Sequence, residues 1–196
     1  MKKLFLYLFL LGGLVLHAQE NEPTESQKQM SQFATAKRNE LSIDVLSAIG
    51  IPALNPRYEY ILGKYSGVGI DLFISLDGDD NFTDFSEYES FSLTPYYRQY
   101  FFSKEDYGAK GFYAEGFVKF FTYDANISES INNSVTQESI FDTSIGAGIG
   151  WKWISQSGFL VDLGIGVGRN LALSDNAQQF NNELQIRGGL NFGWRF

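Results

Sequence analysis

The sequence predicts an all-β fold, an eight-stranded antiparallel β-barrel with its strands in up-and-down meander order. Three observations carry this prediction. Apolar and polar residues alternate with period two along most of residues 40–196, as strands do when their two faces meet different surroundings. Eight segments show the pattern, an even number that returns the carboxyl terminus to the side where the first strand begins. Their connections differ in length at the two ends, the asymmetry of a barrel whose ends face different compartments.

The segments are 40–48, 57–64, 67–76, 91–102, 111–123, 141–154, 159–169 and 183–196. In the third, Val68, Ile70, Leu72, Ile74 and Leu76 alternate with Gly67, Gly69, Asp71, Phe73 and Ser75. In the last, Leu184, Ile186, Leu190, Phe192, Trp194 and Phe196 alternate with Gln185, Arg187, Gly189, Asn191, Gly193 and Arg195. No helix of useful length fits inside this region. Residues 64–67 and 155–158 read as tight turns and 103–110 as an intermediate connection. Residues 77–90, 124–140 and 170–182 read as long polar connections, and 49–56 as a shorter one at the same end.

The amino-terminal part is of another kind. Lys2 and Lys3 precede an apolar run at 4–16, and Leu16-His17-Ala18 places a small residue before a cut at Gln19. That is the pattern of a cleaved export signal over residues 1–18. The run is shorter than the roughly 20 apolar residues of a membrane-spanning helix. With no cysteine in the chain, anchoring through a lipidated cysteine and a disulfide framework are both excluded. Residues 19–39 read either as a periplasmic linker or as a short helix with Met30, Phe33 and Ala34 on one face. Removing the leader leaves 13 basic and 23 acidic side chains, a net charge of -10, which argues against a nucleic-acid partner.

Alternation alone does not say which face points inward. The polar face carries Gly67, Gly69, Gly146, Gly148, Gly150, Gly164, Gly166, Gly168, Gly189 and Gly193. Glycine weakens a strand unless space is tight, and a narrow lumen needs room for large groups from the facing wall. Tyr96, Tyr100, Tyr113, Phe117 and Phe121 share that face. Its charges also balance: Asp44, Glu59, Asp71, Glu115 and Asp162 against Arg98, Lys119, Lys152, Arg187 and Arg195. Enclosed charges are favoured only in pairs. On the apolar face Tyr58, Phe91, Phe101, Phe112, Trp151, Trp153 and Trp194 gather near strand ends, where membrane barrels place aromatic girdles. These aromatics could also form the core of a soluble sandwich or lipocalin-like barrel. The glycines and balanced charges favour instead a transmembrane β-barrel in the bacterial outer membrane, its apolar face on lipid.

The terminal stretch 184–196, alternating and ending in Trp194 and Phe196, resembles the insertion signal of outer-membrane barrels. The glycine-rich hairpin at 144–171, SIGAGIGWKWISQSGFLVDLGIGVGRNL, resembles that of the DUF3575-like outer-membrane proteins of Bacteroidota, and a signal ending in Ala-Gln resembles those of that phylum. The resemblance covers most of residues 40–196. It implies a fold, a location and the partners of that location, namely outer-membrane lipid, lipopolysaccharide and the barrel assembly machinery. It supplies no catalytic residues.

No catalytic site and no cofactor is expected. The single histidine, His17, lies in the leader, so the exported chain would lack the usual activator of a nucleophile and the commonest ligands of zinc, copper and haem. Lumen carboxylates matched by cations make poor general acids. The segment 77–90 holds Asp77, Asp79, Asp80 and Asp84 without a basic residue. This is a weak calcium candidate whose spacing does not fit an EF-hand, and a place for an extracellular partner. The expected role is structural or interactive, with a side-chain-filled lumen and functional external loops. The alternative is binding or transport of a small hydrophobic molecule through a lumen cavity.

Overall fold

The computed structural model describes residues 24–26, 28, 37–50, 53–76, 88–101, 108–129, 134–172 and 184–196. The leader, most of residues 19–36, and segments 77–87 and 173–183 lie outside them. The strands are β1 (Asn39–Asp44), β2 (Ala53–Leu54), β3 (Pro56–Gly63), β4 (Ser66–Ser75), β5 (Tyr88–Phe101), β6 (Gly111–Glu129), β7 (Ser134–Ile154), β8 (Phe159–Asn170) and β9 (Leu184–Arg195). A short helix, α1 (Val45–Gly50), follows β1.

Every pairing is antiparallel, in the order β4-β3-β1-β9-β8-β7-β6-β5, and β5 pairs back onto β4 to close the ring. β2 extends β3 rather than adding a wall strand. Leu54↔Ile74 and Arg57↔Asp71 lie in one register, and between them the ladder is interrupted where Pro56 has no N–H to give. The wall is therefore an eight-stranded closed barrel. At its seam the Asn39 N–H donates to the Phe196 carbonyl at 3.0 Å and the Phe196 N–H to the Asn39 carbonyl at 2.8 Å. Closure gives every wall strand a partner on both sides within the ring.

Both chain ends of the barrel domain lie at one rim, with the tight turns at Lys64–Tyr65 and 155–158 and the connection that ends at Lys110. This is the terminal rim; α1 and the far ends of β6 and β7 stand at the opposite, loop rim.

Two sequence expectations are corrected. The first segment does not run as a strand to Ala48; it turns into α1 after Asp44. The Asp44 carboxylate accepts from the Leu46 N–H at 3.0 Å and the Ser47 hydroxyl at 2.6 Å. This is an N-cap, which satisfies donors a helix start leaves free. Nor is 124–140 an irregular connection. β6 and β7 stay paired from Asp124↔Ser139 to Glu129↔Ser134, well past the last rungs to their outer neighbours at Tyr88↔Asp124 and Ser144↔Asn170. Polar composition concealed this hairpin because backbone pairing makes no demand on side-chain polarity.

The faces are inverted relative to a soluble barrel. Ile165 and Ile186 are 63% and 80% exposed on the outside, whereas Arg98 and Lys152 are 1% exposed within. Aromatic rings line the outside near the terminal rim. Phe101, Phe112, Trp151 and Trp153 follow one another at centroid distances of 6.2, 6.4 and 6.2 Å, and Phe159 meets Trp194 edge-on at 5.0 Å. Phe91 stands apart from them, beside Ile74 toward the other end of β5.

The inward glycines make room differently from the sequence expectation. Their space is taken by side chains on neighbouring strands of the same wall, not by groups from the facing wall: rings in several cases, and Glu59 at Gly67, Asp44 at Gly189 and Ser42 at Gly193. Tyr96 lies over Gly69 and Tyr113 over Gly150, each ring over its direct cross-strand partner. Phe117 lies over Gly146 and reaches Gly166 and Gly168 on the next strand. A ring laid flat across adjacent strands covers the backbone that glycine leaves bare. Gly150→Val would drive a side chain into the Tyr113 ring, and is expected to lower stability by about 1–3 kcal/mol. Gly116→Ala adds a methyl to open space and should shift stability by less than about 0.5 kcal/mol. Urea unfolding of the two variants in detergent micelles measures the contrast.

Candidate functional site

The interior is filled by a lattice of ion pairs. Alternation turns every second residue inward, and each of the eight wall strands delivers at least one charge to the axis. These are Glu40 from β1, Arg57 and Glu59 from β3, Asp71 from β4, Arg98 from β5, Glu115 from β6, Lys152 from β7, Asp162 from β8, and Arg187 and Arg195 from β9. Five carboxylates thus face five cations, most of them almost wholly buried.

Arg98 is the centre. Its Nε donates to Glu115 at 2.7 Å and its Nη1 to Asp162 at 2.7 Å and Glu59 at 3.0 Å. Its guanidinium lies between the Tyr113 and Tyr96 rings, at 4.1 and 4.7 Å from their centroids, an arrangement that adds cation–π attraction to the pairing. Around it, Arg57 joins Asp71 at 2.5 Å and Asp162 at 2.9 Å. Lys152 joins Glu40 at 2.7 Å and Glu59 at 2.9 Å. Arg187 bridges Asp71 and Glu115.

Tyrosine hydroxyls complete the carboxylates: Tyr100 donates to Glu59 at 2.6 Å, Tyr96 to Glu59 at 3.3 Å and Tyr113 to Asp162 at 2.7 Å. Several pairs are direct cross-strand partners, such as Arg57↔Asp71, Arg98↔Glu115 and Glu40↔Arg195. Others cross the lumen: Lys152–Glu40 joins residues 112 apart in sequence and Arg187–Asp71 residues 116 apart.

The terminal rim is plugged as well. The Arg195 Nε donates to Glu40 at 2.6 Å, and its two terminal nitrogens donate to the carbonyls of Gly108 and Ala109 at 2.9 and 3.0 Å. Ala109 is fully buried beneath Ile61, Tyr100 and Tyr113 and sits at φ 55°. That conformation is costly for a residue with a Cβ, and the Arg195 bonds, with one from the Ala109 N–H to the Lys64 carbonyl at 2.7 Å, hold it there. A polar cavity of about 20 Å³ lies beside Arg57, Arg98, Glu115, Arg187 and Asn191, room for about one water molecule.

Of the charged residues singled out in the sequence, Glu59, Asp71, Arg98, Glu115, Lys152, Asp162, Arg187 and Arg195 meet in this lattice. Two do not. Asp44 caps α1 and accepts from the Leu190 N–H at 3.0 Å, and Lys119 pairs with Glu89 at 2.5 Å nearer the loop rim. Their places are taken by Glu40 and Arg57, which share strand parity with Asp44 and Glu59 and were legible by that rule. Asp77, Asp79, Asp80 and Asp84 lie outside the described residues. Trp194 and Phe196 are exposed on the outer wall at the terminal rim. Among the described residues no cluster of three or more His, Cys, Asp or Glu side chains is arranged to hold a metal. The lattice joins the walls to one another and occupies the axis; each of its carboxylates is held by at least one cation.

The molecule is thus a closed eight-stranded antiparallel barrel with a charged, filled interior and an apolar exterior. In comparisons with known proteins, no protein-family model and no curated protein matches the chain. Among solved structures it is similar to the N-terminal β-barrel domain of Pseudomonas aeruginosa OprF, at TM-score 0.42 and 12% identity over 82% of this chain and 96% of that one. It is also similar to the Yersinia pestis outer membrane protein Ail, at TM-score 0.44 and 15% identity over 82% and 99%.

Removing one partner of a buried ion pair strands the other. Arg98→Met leaves three carboxylates short of a cation and is expected to cost about 3–5 kcal/mol. Asp44→Ala removes only a cap and its strand contact and should cost about 0.5–2 kcal/mol. Equilibrium unfolding midpoints of the two variants, compared at matched detergent concentration, check the difference.

Proposed function

We propose that the chain is a small outer-membrane barrel of structural or interaction type, without intrinsic catalysis, whose lumen is closed by side chains and whose contacts with partners are made by the segments beyond the loop rim. The observation that carries this reading is the pairing of a charged, ion-paired interior with an aliphatic exterior ringed by aromatics. An exterior of this kind suits hydrocarbon, and a saturated lattice suits a lumen that conducts nothing. Residues 1–18 would act as the export signal. The terminal rim would face the periplasm, and the β6–β7 hairpin would stand on the outside of the cell. The DUF3575-like kinship belongs to the same proposal and rests on the hairpin at 144–171. Outer-membrane lipid, lipopolysaccharide and the assembly machinery are the partners this placement entails. An extracellular partner and calcium at 77–90 remain proposals of the sequence alone. The lumen-ligand alternative gains nothing from the interior, whose cavity of about 20 Å³ is polar and water-sized.

Two measurements test the reading. The purified protein, reconstituted in planar bilayers, should give no steady single-channel openings and should show heat-modifiable gel mobility; regular conductance steps would overturn the closed lumen. Deleting Phe196 removes the final rung of the β1–β9 seam. The expected result is impaired assembly into the outer membrane in cells, with a smaller effect on the unfolding midpoint of protein refolded in vitro. Normal assembly of the deletion variant would remove the terminal-signal role.

A further inference from the structure

We propose that the outer wall carries a binding site for a hydroxylated acyl chain at the seam between β5 and β6. The inference rests on the reading that the outward face meets hydrocarbon.

Three features coincide there. Pro95 lies within β5, and the β5–β6 register is the same on either side of it, Leu93↔Phe120 and Tyr96↔Phe117, yet the rungs at Thr94 and Pro95 are missing. The direction of the lost bond follows from alternation. The Tyr100 N–H donates across to the Tyr65 carbonyl, on the β4 side, at 2.8 Å, so the nitrogens of alternate residues Phe101, Gln99, Tyr97 and Pro95 face β6. A prolyl nitrogen carries no hydrogen. The Val118 carbonyl opposite it therefore receives no donor from β5. In a wall surrounded by hydrocarbon, such a group is unfavourable unless something else satisfies it.

The second feature is Gly116, an outward position next to this carbonyl, where an added Cβ would meet nothing within 4 Å. The third is a shallow, open depression on the outer wall, bordered by Val68, Pro95, Tyr97, Gly116, Val118 and Ile145 and by no charged side chain.

The chemistry of the hollow selects its occupant. Aliphatic and aromatic borders select a hydrocarbon chain, and a carbonyl without a donor selects a hydroxyl on that chain. A lipid tail reaches the site directly from the bilayer, continuous with the face that lipid already covers. A hydrophobic ligand would then be held on the outside of the barrel, against its wall, and not in the lumen.

The test titrates the full exported chain in lipid nanodiscs with β-hydroxymyristic acid and, separately, myristic acid. Amide resonances of Gly116 and Val118 report the site, and Ile186 on β9, across the barrel, serves as reference. Saturable shifts at Gly116 and Val118 but not at Ile186 are expected, with the hydroxy acid binding roughly 2–10-fold more tightly, the worth of one hydrogen bond. Gly116→Leu, which fills the hollow, should abolish the shifts with both acids. Pro95→Val, which restores an N–H, should remove the preference for the hydroxyl. Shifts that rise without saturation and equally at Ile186, equal affinity for the two acids in the unaltered chain, or unchanged binding by Gly116→Leu would each overturn the proposal. Heat-modifiable mobility of the same preparations tells a failure of this site from a failure of the membrane reading.

Discussion

A lattice of ten paired charges inside a narrow cylinder constrains everything else in this molecule. A buried charge is tolerated only when a partner and further hydrogen bonds replace the water it has lost. Here Arg98 serves three carboxylates, Glu59 collects two cations and two tyrosine hydroxyls, and Asp162 collects two arginines and Tyr113. Because the partners come from all eight wall strands, each strand must sit in one register for the lattice to close. Slipping any strand by a single residue would turn its charge to the outside and an aliphatic side chain to the axis. Such a lattice contributes more to specifying one arrangement than to raw stability, since a buried ion pair is weak evidence for net stabilisation.

The remaining interior is arranged around these pairs. Arginine and tyrosine are long and broad, and a narrow barrel holds them only where the neighbouring backbone is bare. Tyr113 over Gly150 and Gly164, Tyr96 over Gly69 and Phe117 over Gly146 are the result. The glycines are therefore tied to the rings beside them and, through Tyr96 and Tyr113, to the Arg98 guanidinium those rings enclose. At the terminal rim Arg195 extends the same logic to a connection, drawing Gly108 and Ala109 under the lumen.

Outside, the arrangement is the reverse: the backbone is consumed by the ladder and the side chains are largely apolar. Prolines mark where the ladder cannot comply. Pro56 interrupts one strand into β2 and β3, and Pro95 leaves a broken rung on the β5–β6 seam beside an open glycine. A closed hydrogen-bonded cylinder makes such a broken rung conspicuous, because all eight wall strands are paired on both sides.

Much of this could be read from the residues in order. Period two in segments such as 67–76 and 184–196 determined the strands, their number and which side chains share a face, because a strand's geometry leaves no other choice. The same parity pointed to Glu59, Asp71, Arg98, Glu115, Lys152, Asp162, Arg187 and Arg195 as inward groups, and would have added Glu40 and Arg57. What parity does not encode is height along the axis and what stands across it. Only the assembled barrel decided that Asp44 turns to cap α1 while Glu40 faces Lys152, that Lys119 meets Glu89 nearer the rim, and that the polar stretch after Tyr123 continues as paired strands. Pairing partners such as Lys152 and Glu40 lie more than a hundred residues apart, and their meeting depends on closure of the ring, which no local pattern of residues contains.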